Sequence, residues 1–490
     1  MDFADSALSR DMRQRLDAFI DRYLLPYNAA WHAAAARGES TPPFVQDLKE
    51  LAQSEGLWNL FLPSLRADQP GTALSNLDYA PLAESMGRLP WACEIFNCSA
   101  PDTGNMELLQ LFATPAQRSA WLDPLLAGTI RSAFAMSEPD VASSDPTNLQ
   151  TTVRVEANQL VLNGRKWFIT GAAHPACRLL IVMGRSAGAA GPRHANHSIV
   201  LVPLQTPGVE ILRNIAILQH LTPEGHCEIV LRDVRVPLEN LLGREGEGFA
   251  MAQARLGPGR VHHCMRTVGQ CELALRLMCD RALERQAFGK TLADFANVQE
   301  WIAESRLEID QARLLVLRSA WLLDQGHDAR VDVSAIKVVA ARLQTRVLNR
   351  AIQTFGAMGL SPDTPLAYFW TWGRAMQLLD GPDEVHLRSI ARNEIDHARR
   401  QRGLLHHTRT AARAAAHSLS AGGQRPGSRR LDRTAPSRLL DARASSAACW
   451  PFSEPVSWPS LRRRRLRLHQ GVHREAPFGK PPSAAPRSWE

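Results

Sequence analysis

The spacing of apolar side chains divides the chain into segments of different character. Over residues 1–130 the apolar positions recur with the period of amphipathic helices. One such run follows two prolines and comprises Phe44, Leu48, Leu51 and Ala52. Gly56 then stands where a helix would end. The pattern predicts a helical N-terminal domain over residues 1–130.

Between residues 131 and 244 the apolar spacing falls to two, which is typical of β-strands. Ala157-Asn158 and Asn163-Gly164 interrupt this pattern, and we interpret both dipeptides as turns. No helical pattern separates the apolar runs. This segment is therefore predicted to be a middle domain with an antiparallel, barrel-like sheet.

Helical spacing returns over residues 245–400 in several long runs. Antiparallel packing of these helices into a C-terminal four-helix bundle is the simplest arrangement. The chain is thus predicted to have an α+β fold in which a small β domain lies between two helical domains.

Residues 401–490 lack an apolar period and are rich in Ala, Arg, Ser, Pro and Gly. Such a composition does not bury a core, so we predict a disordered tail. We hypothesise that the tail is a reading-frame artefact or a decayed extension, which resequencing of the 3′ end would test. An intact frame, together with a tail that activity requires, would contradict this hypothesis.

The net charge of +8 is unevenly distributed along the 490 residues. Residues 401–490 hold 17 of the 57 basic residues and 5 of the 49 acidic residues. Residues 1–400 are therefore slightly acidic, which argues against a folded nucleic-acid-binding surface. No apolar run approaches the roughly 20 residues of a membrane span, and the N-terminus lacks a signal sequence. A soluble, cytoplasmic protein is expected.

The eight cysteines are scattered without a C-x-x-C pair, and no histidine cluster has metal-binding spacing. We expect buried thiols in a reducing compartment and no metal site. The adjacent His262 and His263 are interpreted as core or surface histidines.

Two motifs in the middle segment suggest a ligand. Residues 134–145 read Phe-Ala-Met-Ser-Glu-Pro-Asp-Val-Ala-Ser-Ser-Asp, and residues 163–171 read Asn-Gly-Arg-Lys-Trp-Phe-Ile-Thr-Gly. Small hydroxyl residues, a turn fixed by proline and an aromatic-rich strand suit a flat, phosphate-bearing ligand at a sheet edge. Ordinary turn and strand preferences would explain any one of these residues. The ordered set favours a flavin.

Over about residues 10–400 the chain resembles the acyl-CoA dehydrogenase family. It is most similar to the branch with the sequence Glu-Pro-Asp-Val-Ala-Ser-Ser-Asp, here residues 138–145. The order of a helical domain, a β domain and a helical bundle agrees with this resemblance. It implies FAD as the cofactor and an acyl-CoA thioester as the substrate.

The resemblance assigns several flavin contacts to the middle domain. Ser137 matches the hydroxyl residue that bonds the flavin ring in the family, with Phe134 and Met136 on the same strand. Phe168 and Thr170 match the aromatic residue that stacks on the flavin and the hydroxyl residue that follows it.

The contact to the flavin pyrophosphate is less narrowly assigned. Ser144 matches it by its place before the final Asp of the motif. This branch has one residue more than the shorter form of the motif, so Ser143 is an alternative.

Further motifs imply contacts to the cofactor of a neighbouring subunit. Residues 285–290 match the family's Arg-x-x-Phe-Gly motif, and residues 353–359 resemble its Gln-x-x-Gly-Gly-x-Gly turn, with Ala357 in place of the second glycine. The residues matched to such contacts are Arg285, Phe288, Gln299, Gln353 and Gly356. The resemblance therefore implies a homodimer or a homotetramer.

Residues 378–386 read Leu-Leu-Asp-Gly-Pro-Asp-Glu-Val-His and match the region of the family's catalytic base. Most members have a Glu there, and Asp380 takes its position with a side chain one methylene shorter. Glu384 is the alternative base, and Asp383 is expected to be a charge at a helix N-terminus. Arg260 matches an arginine near the base, although a surface salt bridge is a competing interpretation.

In the family, a carboxylate removes the pro-R α proton of the thioester while the β hydrogen leaves as hydride to flavin N5. The resemblance thus implies an acyl-CoA dehydrogenase of fatty acid β-oxidation that forms a trans-2-enoyl-CoA. Its electrons would pass to an electron-transfer flavoprotein. An acyl-CoA oxidase and a DNA-associated protective flavoprotein of the same fold are the alternatives. No motif sets the acyl chain length.

Overall fold

The computed structural model of the chain describes residues 3–39, 41–187, 192–222 and 224–401. Apart from residue 401, the predicted disordered tail and its hypothesised reading-frame origin lie outside these residues. The described part has helical N-terminal and C-terminal regions with a sheet between them. The predicted α+β order is confirmed.

Some of the N-terminal helices begin or end at polar or glycine signals. Ser6 caps the first helix by accepting a hydrogen bond from the Ser9 backbone, and Gly56 follows the third with a φ of +71°. The helices are α1 (Ala7–Phe19), α2 (Asn28–Ala36), α3 (Pro43–Ser54), α4 (Asn76–Met86), α5 (Ala92–Ile95), α6 (Asp102–Phe112), α7 (Pro115–Gln117) and α8 (Asp123–Leu126). Their buried side chains share one core with helices of the C-terminal region.

The middle region supplies the strands of the sheet. They are β1 (Arg131–Ala135), β2 (Thr152–Glu156), β3 (Gln159–Thr170), β4 (Cys177–Ser186), β5 (His197–Pro203), β6 (Val209–Asn214), β7 (His226–Pro237) and β8 (Leu241–Leu242). The turn predicted at Ala157-Asn158 is confirmed, since both residues have positive φ between β2 and β3.

The turn predicted at Asn163-Gly164 is wrong, because β3 continues through this dipeptide. The register of β3 against β7 shifts between Leu162 and Gly164. A Cβ at position 164 would lie 2.3 Å from Thr151 Oγ1. The glycine therefore permits close packing within the sheet instead of a chain reversal.

The strands form one sheet in the order β6-β7-β3-β2-β4-β5-β8, with β1 added beside β4. Most neighbours are antiparallel as predicted, but β1 and β2 both lie parallel to β4. Parallel partners need a long connection, and between β1 and β4 the intervening loop, β2 and β3 provide it. Ser137, two residues after β1, lies beside β3, because its carbonyl oxygen accepts the backbone N–H of Trp167.

The C-terminal region is a bundle of long helices. They are α9 (Gly248–Glu284), α10 (Ala296–Asp324), α11 (Arg330–Phe355) and α12 (Leu366–Met376), followed by a helix over residues 383–401. A hairpin of β9 (Gln286–Ala287) and β10 (Lys290–Thr291) joins α9 to α10. Helix α9 packs on both α4 and α6, so the two helical regions meet along it. Within the described residues, no helix has the length and hydropathy that a bilayer requires.

Candidate active site

Asp380 lies in the loop that joins α12 to the last helix. Asp380 and Gly381 have positive φ values of +51° and +101°, so the chain turns sharply there. A Cβ at Gly381 would lie 3.0 Å from His386 Nε2. Arg260 Nε donates to Asp380 O at 2.9 Å. His386 Nε2 lies 3.3 Å from the same carbonyl oxygen, so both Arg260 and His386 hold the main chain of this loop.

The carboxylate of Asp380, by contrast, accepts no hydrogen bond from the residues that the structure describes. Its ion partner is His263, whose Nε2 lies 3.6 Å from Oδ2, and the Asp380 side chain is 28% exposed. The interpretation of His263 as an ordinary core or surface histidine is thus incomplete. His262 is a core residue, with its ring packed against Phe61 and Tyr79.

Nearby positive groups keep Asp380 ionised. Burial raises the pKa of Asp380, but His263, Arg255, Arg260 and Lys337 together lower it by more, so that this pKa lies below its usual value. Burial also lowers the pKa of His263 to about 4. At neutral pH the imidazole is therefore neutral, and it lowers the pKa of Asp380 only in the acid range in which the ring is protonated. Near pH 7 the two guanidinium groups and the Lys337 ammonium supply the positive charge.

Two of these cations, Arg255 and Lys337, were not among the site residues predicted from the sequence. Lys337 is fully buried in α11 between Ile336 and Val338, and its Nζ donates to Met376 O. Arg255 is also buried, in the first half of α9. For Lys337 the sequence contains a usable signal, a cation inside an apolar stretch of helix, because a buried charge requires a partner.

The two acidic neighbours of Asp380 have different surroundings. Asp383 is buried at the start of the last helix and accepts a hydrogen bond from Arg342 Nε at 2.9 Å. Glu384, the alternative base, is exposed on the first turn of that helix. Of these three carboxylates, Asp380 is the one that combines several nearby cations with unbonded oxygens.

The residues matched to flavin contacts come together where β1 ends. Phe134 lies on β1, Met136 and Ser137 follow it, and all three are partly exposed. Trp167 on β3 donates its backbone N–H to Ser137 O at 3.0 Å. The next residue, Phe168, has a φ of +51° and is 39% exposed. An exposed aromatic ring at this edge suits stacking on a flat ligand.

Thr170, at the end of β3, already has a partner. Its hydroxyl lies 2.9 Å from His226 Nδ1, and burial lowers the pKa of His226 to about 4, so this ring is neutral near pH 7. The His226 ring lies 5.7 Å from the ring of Trp372 on α12. The helix that leads to Asp380 therefore contacts the first residue of β7, which pairs with Thr170 on β3.

A buried ion pair holds the turn that follows Ser137. Lys166 Nζ donates to Glu138 Oε1 at 2.8 Å and to the carbonyl oxygens of Met136 and Met183 at 2.9 and 2.7 Å. Glu138 also accepts two backbone N–H groups of the following loop, at 2.6 and 2.9 Å. Both charged groups are thus fully engaged, and they fix the position of the turn.

The two candidate pyrophosphate contacts differ in their availability. Ser143 Oγ accepts the backbone N–H of Glu138 at 2.9 Å and donates to Glu138 O at 3.3 Å. Ser144 is exposed and forms no hydrogen bond within the part of the chain that the structure describes. The Ser143 hydroxyl closes the turn, whereas the Ser144 hydroxyl is open to a ligand.

Arg255 joins the loop of Asp380, here called the base loop, to β1, which carries Phe134 and is here called the flavin-matched strand. Its Cζ lies 4.2 Å from the centroid of the Phe134 ring, and its charge lowers the pKa of Asp380. The fold therefore brings Asp380, Arg260 and the end of β1 into one region.

Another set of sequence-matched residues lies at the far end of the bundle: Arg285, Phe288, Gln299, Gln353 and Gly356. Arg285 follows Arg260 by 25 positions, which corresponds to about 37 Å along α9. The end of α11 lies beside the end of α9, where Arg281 stacks on Phe355 at 5.5 Å. Phe288 is 97% exposed in the β9–β10 hairpin. These residues are not brought to Asp380 within one chain.

Sequence profiles of three domains match the chain in order. They are the acyl-CoA dehydrogenase N-terminal domain over residues 6–129, the middle domain over residues 133–234 and the C-terminal domain over residues 246–395. Together they span both the base loop and the flavin-matched strands.

Individual relatives agree with these matches. Probable acyl-CoA dehydrogenase FadE2 of Mycobacterium tuberculosis is 52% identical over 405 residues, which are 81% of this chain and 97% of that protein. Acyl-CoA dehydrogenase family member 11 of Gallus gallus is 44% identical over 403 residues, 80% of this chain, and the chain spans about half of its length. A solved structure of a putative acyl-CoA dehydrogenase from Mycobacterium abscessus superposes with a TM-score of 0.77 at 45% identity, covering 80% of this chain and 99% of that one.

Proposed function

This chain belongs to the acyl-CoA dehydrogenase family, and we propose that it oxidises an acyl-CoA thioester to the trans-2-enoyl-CoA with bound FAD. The observation that carries this proposal is the surroundings of Asp380, whose unbonded carboxylate lies among buried cations. Arg255 adds support, because it stacks on Phe134 and also acts on Asp380.

The residues at the end of β1 fit the proposed cofactor. FAD, when bound, supplies the acceptor for the β hydrogen of the substrate. Phe168 would stack on its ring, since this aromatic side chain is exposed beside Ser137 and Trp167. Ser144 would donate to the diphosphate, because its hydroxyl has no partner in the described part of the chain, while the Ser143 hydroxyl is engaged with Glu138.

Asp380 is the proposed base, and it takes the α proton of the thioester on a carboxylate oxygen. Arg260 holds the Asp380 carbonyl, so the loop stays in place while both carboxylate oxygens keep free lone pairs. The neighbouring cations oppose the rise in pKa that the acyl group causes when it displaces water. Because aspartate is one methylene shorter than glutamate, the substrate α carbon must approach this loop more closely.

We further propose a cytoplasmic homodimer or homotetramer that passes electrons to an electron-transfer flavoprotein in fatty acid β-oxidation. The exposed Phe288 supports an assembly. So does the distance of about 37 Å along α9 between Arg260 and Arg285, because one chain does not bring both ends of that helix to a single cofactor. In such an assembly the far end of one bundle would serve the cofactor of a neighbour.

Anaerobic mixing of the FAD-loaded protein with acyl-CoA thioesters of graded chain length tests the proposed activity. We expect the visible absorption of oxidised flavin, at about 450 nm, to bleach with at least one thioester. With free CoA this absorption should persist. Rapid reoxidation in air would favour an oxidase, whereas reoxidation only by an electron-transfer flavoprotein would favour the dehydrogenase. No bleaching by any thioester would contradict the proposal.

A further inference from the structure

A chain of buried polar groups crosses the N-terminal helical region and reaches β1. Lys49 on α3 pairs with Glu94, and Arg131 on β1 pairs with both Glu94 and Asp102. Asp102 Oδ1 in turn accepts the Ser132 backbone N–H at 2.7 Å. Charges alternate in sign along this path, so each buried ion has an opposite neighbour.

The path continues from β1 to α9. Asn105 donates its amide to Ser132 Oγ at 2.8 Å, and Asn105 Oδ1 accepts Arg255 Nε at 2.8 Å. A Cβ at Gly104 would lie 3.2 Å from Arg255 Cγ. Helix α6 therefore leaves room for the arginine stem and supplies the acceptor that orients its guanidinium group.

Arg255 differs from the other buried arginine of this path because its charge has no ion partner. No carboxylate oxygen of the described residues lies within the 4 Å of an ion pair with it. Burial raises the pKa of Glu107, the carboxyl group near it on α6, to about 8, so this side chain is neutral at pH 7. On the same helix, five positions after Arg255, Arg260 donates to Asp380 O at 2.9 Å, and Asp380 is the first of the carboxylates whose charge acts on Arg255.

We propose that Arg255 is a positioning residue that ties the base to the flavin-matched strand, with Asn105 setting its orientation. This inference rests on the proposed function, because it assigns Arg255 a role towards Asp380 as the base. The guanidinium carbon lies 4.2 Å from the centroid of the Phe134 ring, and its charge favours the ionised form of Asp380. One side chain thus keeps the base ionised and orients an aromatic residue at the end of β1.

Arg255→Met tests the charge, since it keeps most of the stem and removes the guanidinium group. The rate of anaerobic flavin reduction by a thioester that reduces the wild type is measured from about pH 3 to about pH 8, roughly the range in which carboxylate and histidine groups titrate. We expect the acidic limb of the plot of rate against pH to move up by about one pH unit, because loss of a nearby cation raises the pKa of a carboxylate. His263, Arg260 and Lys337 also face Asp380, with His386 and Asp383 on the last helix, and all are retained.

Three further variants separate charge, orientation and general damage. Arg255→Lys keeps a cation and should retain an acid limb close to wild type, and Asn105→Ala should shift it in the same direction as Arg255→Met but by less. Arg276→Met removes an exposed cation of the same helix and should change nothing. FAD content is measured for each variant.

Each outcome bears on a different claim. Coincident profiles of Arg255→Met and the wild type, with FAD bound, would overturn the inference. If Arg255→Met does not retain FAD, a wild-type profile of Asn105→Ala would overturn it instead, and a shifted one would support it. If no thioester reduces the wild type, the proposed function has failed and the role of Arg255 fails with it.

Discussion

Glu138 and Asp380 are both carboxylates beside buried cations, but their oxygens are used differently. Both oxygens of Glu138 accept hydrogen bonds, from Lys166 and from two backbone N–H groups, and its side chain is 4% exposed. Asp380 is held through its main chain, and its carboxylate is unbonded within the described residues and 28% exposed. The first group holds a turn, whereas the second is open to a substrate.

This difference separates a structural carboxylate from a candidate base. A carboxylate whose lone pairs are occupied must lose hydrogen bonds before it can take a proton. A carboxylate stabilised by charges that do not bond to it stays ionised and keeps its lone pairs available. Burial and nearby positive charge are therefore common to both kinds of site, and the occupancy of the oxygens distinguishes them.

The largest expected effect is that of Asp380→Asn. The amide has the same shape but cannot take a proton, so reduction of the flavin by an acyl-CoA should slow by about 10³-fold or more while FAD stays bound. Stopped-flow absorption under anaerobic conditions measures this rate. Glu384→Gln is the matched control and should leave it within about twofold. A wild-type rate in Asp380→Asn would exclude Asp380 as the base.

Glu138→Gln tests the other carboxylate and should act on stability. It leaves the Lys166 ammonium buried without its counter-charge, which costs about 3–5 kcal/mol in the free energy of unfolding. Urea denaturation measures this change. Glu210→Gln, which breaks an exposed pair with Arg232, should cost less than about 1 kcal/mol. Equal losses in the two variants would show that the buried pair does not hold the turn.

Arg260→Met removes both a hydrogen bond to the Asp380 carbonyl and a positive charge. The charge lowers the pKa of Asp380, so its removal should raise that pKa and move the acid limb of flavin reduction up by about one pH unit. The rate at the acid edge of the profile should fall about tenfold, with a smaller change at high pH. An unchanged profile would favour a purely structural salt-bridge role for Arg260.

The smallest effects are expected at the two serines of the Glu138 turn. Ser143→Ala removes a hydroxyl that bonds the turn and should lower the stability of the apoprotein by about 1 kcal/mol. Ser144→Ala should leave that stability unchanged and weaken FAD binding by up to about tenfold. Denaturation and fluorescence titration with FAD measure the two quantities, and the reverse pattern would assign the pyrophosphate contact to Ser143.

The order of helical and β regions could be predicted because apolar spacing follows the local geometry of helices and strands. The dipeptide at Asn163-Gly164 shows where this reasoning ends. The same two residues suit a hairpin turn or a close approach of backbones, and Thr151 on a neighbouring segment decides between them. The parallel pairing of β1 with β4 could likewise not be predicted. The spacing of apolar residues along a strand does not specify which strand pairs with it or in which direction.

The sequence by itself determined the succession of elements and the short motifs that carry Asp380 and the residues around Ser137, because each of these is encoded within about a dozen neighbouring positions. Only the tertiary structure decided which cations surround Asp380. Arg255 and Lys337 are far from it along the chain and near it through the packing of α9 and α11. Electrostatic interactions depend on distance through space, so the ionisation of the candidate base is a property of helix packing and not of its motif.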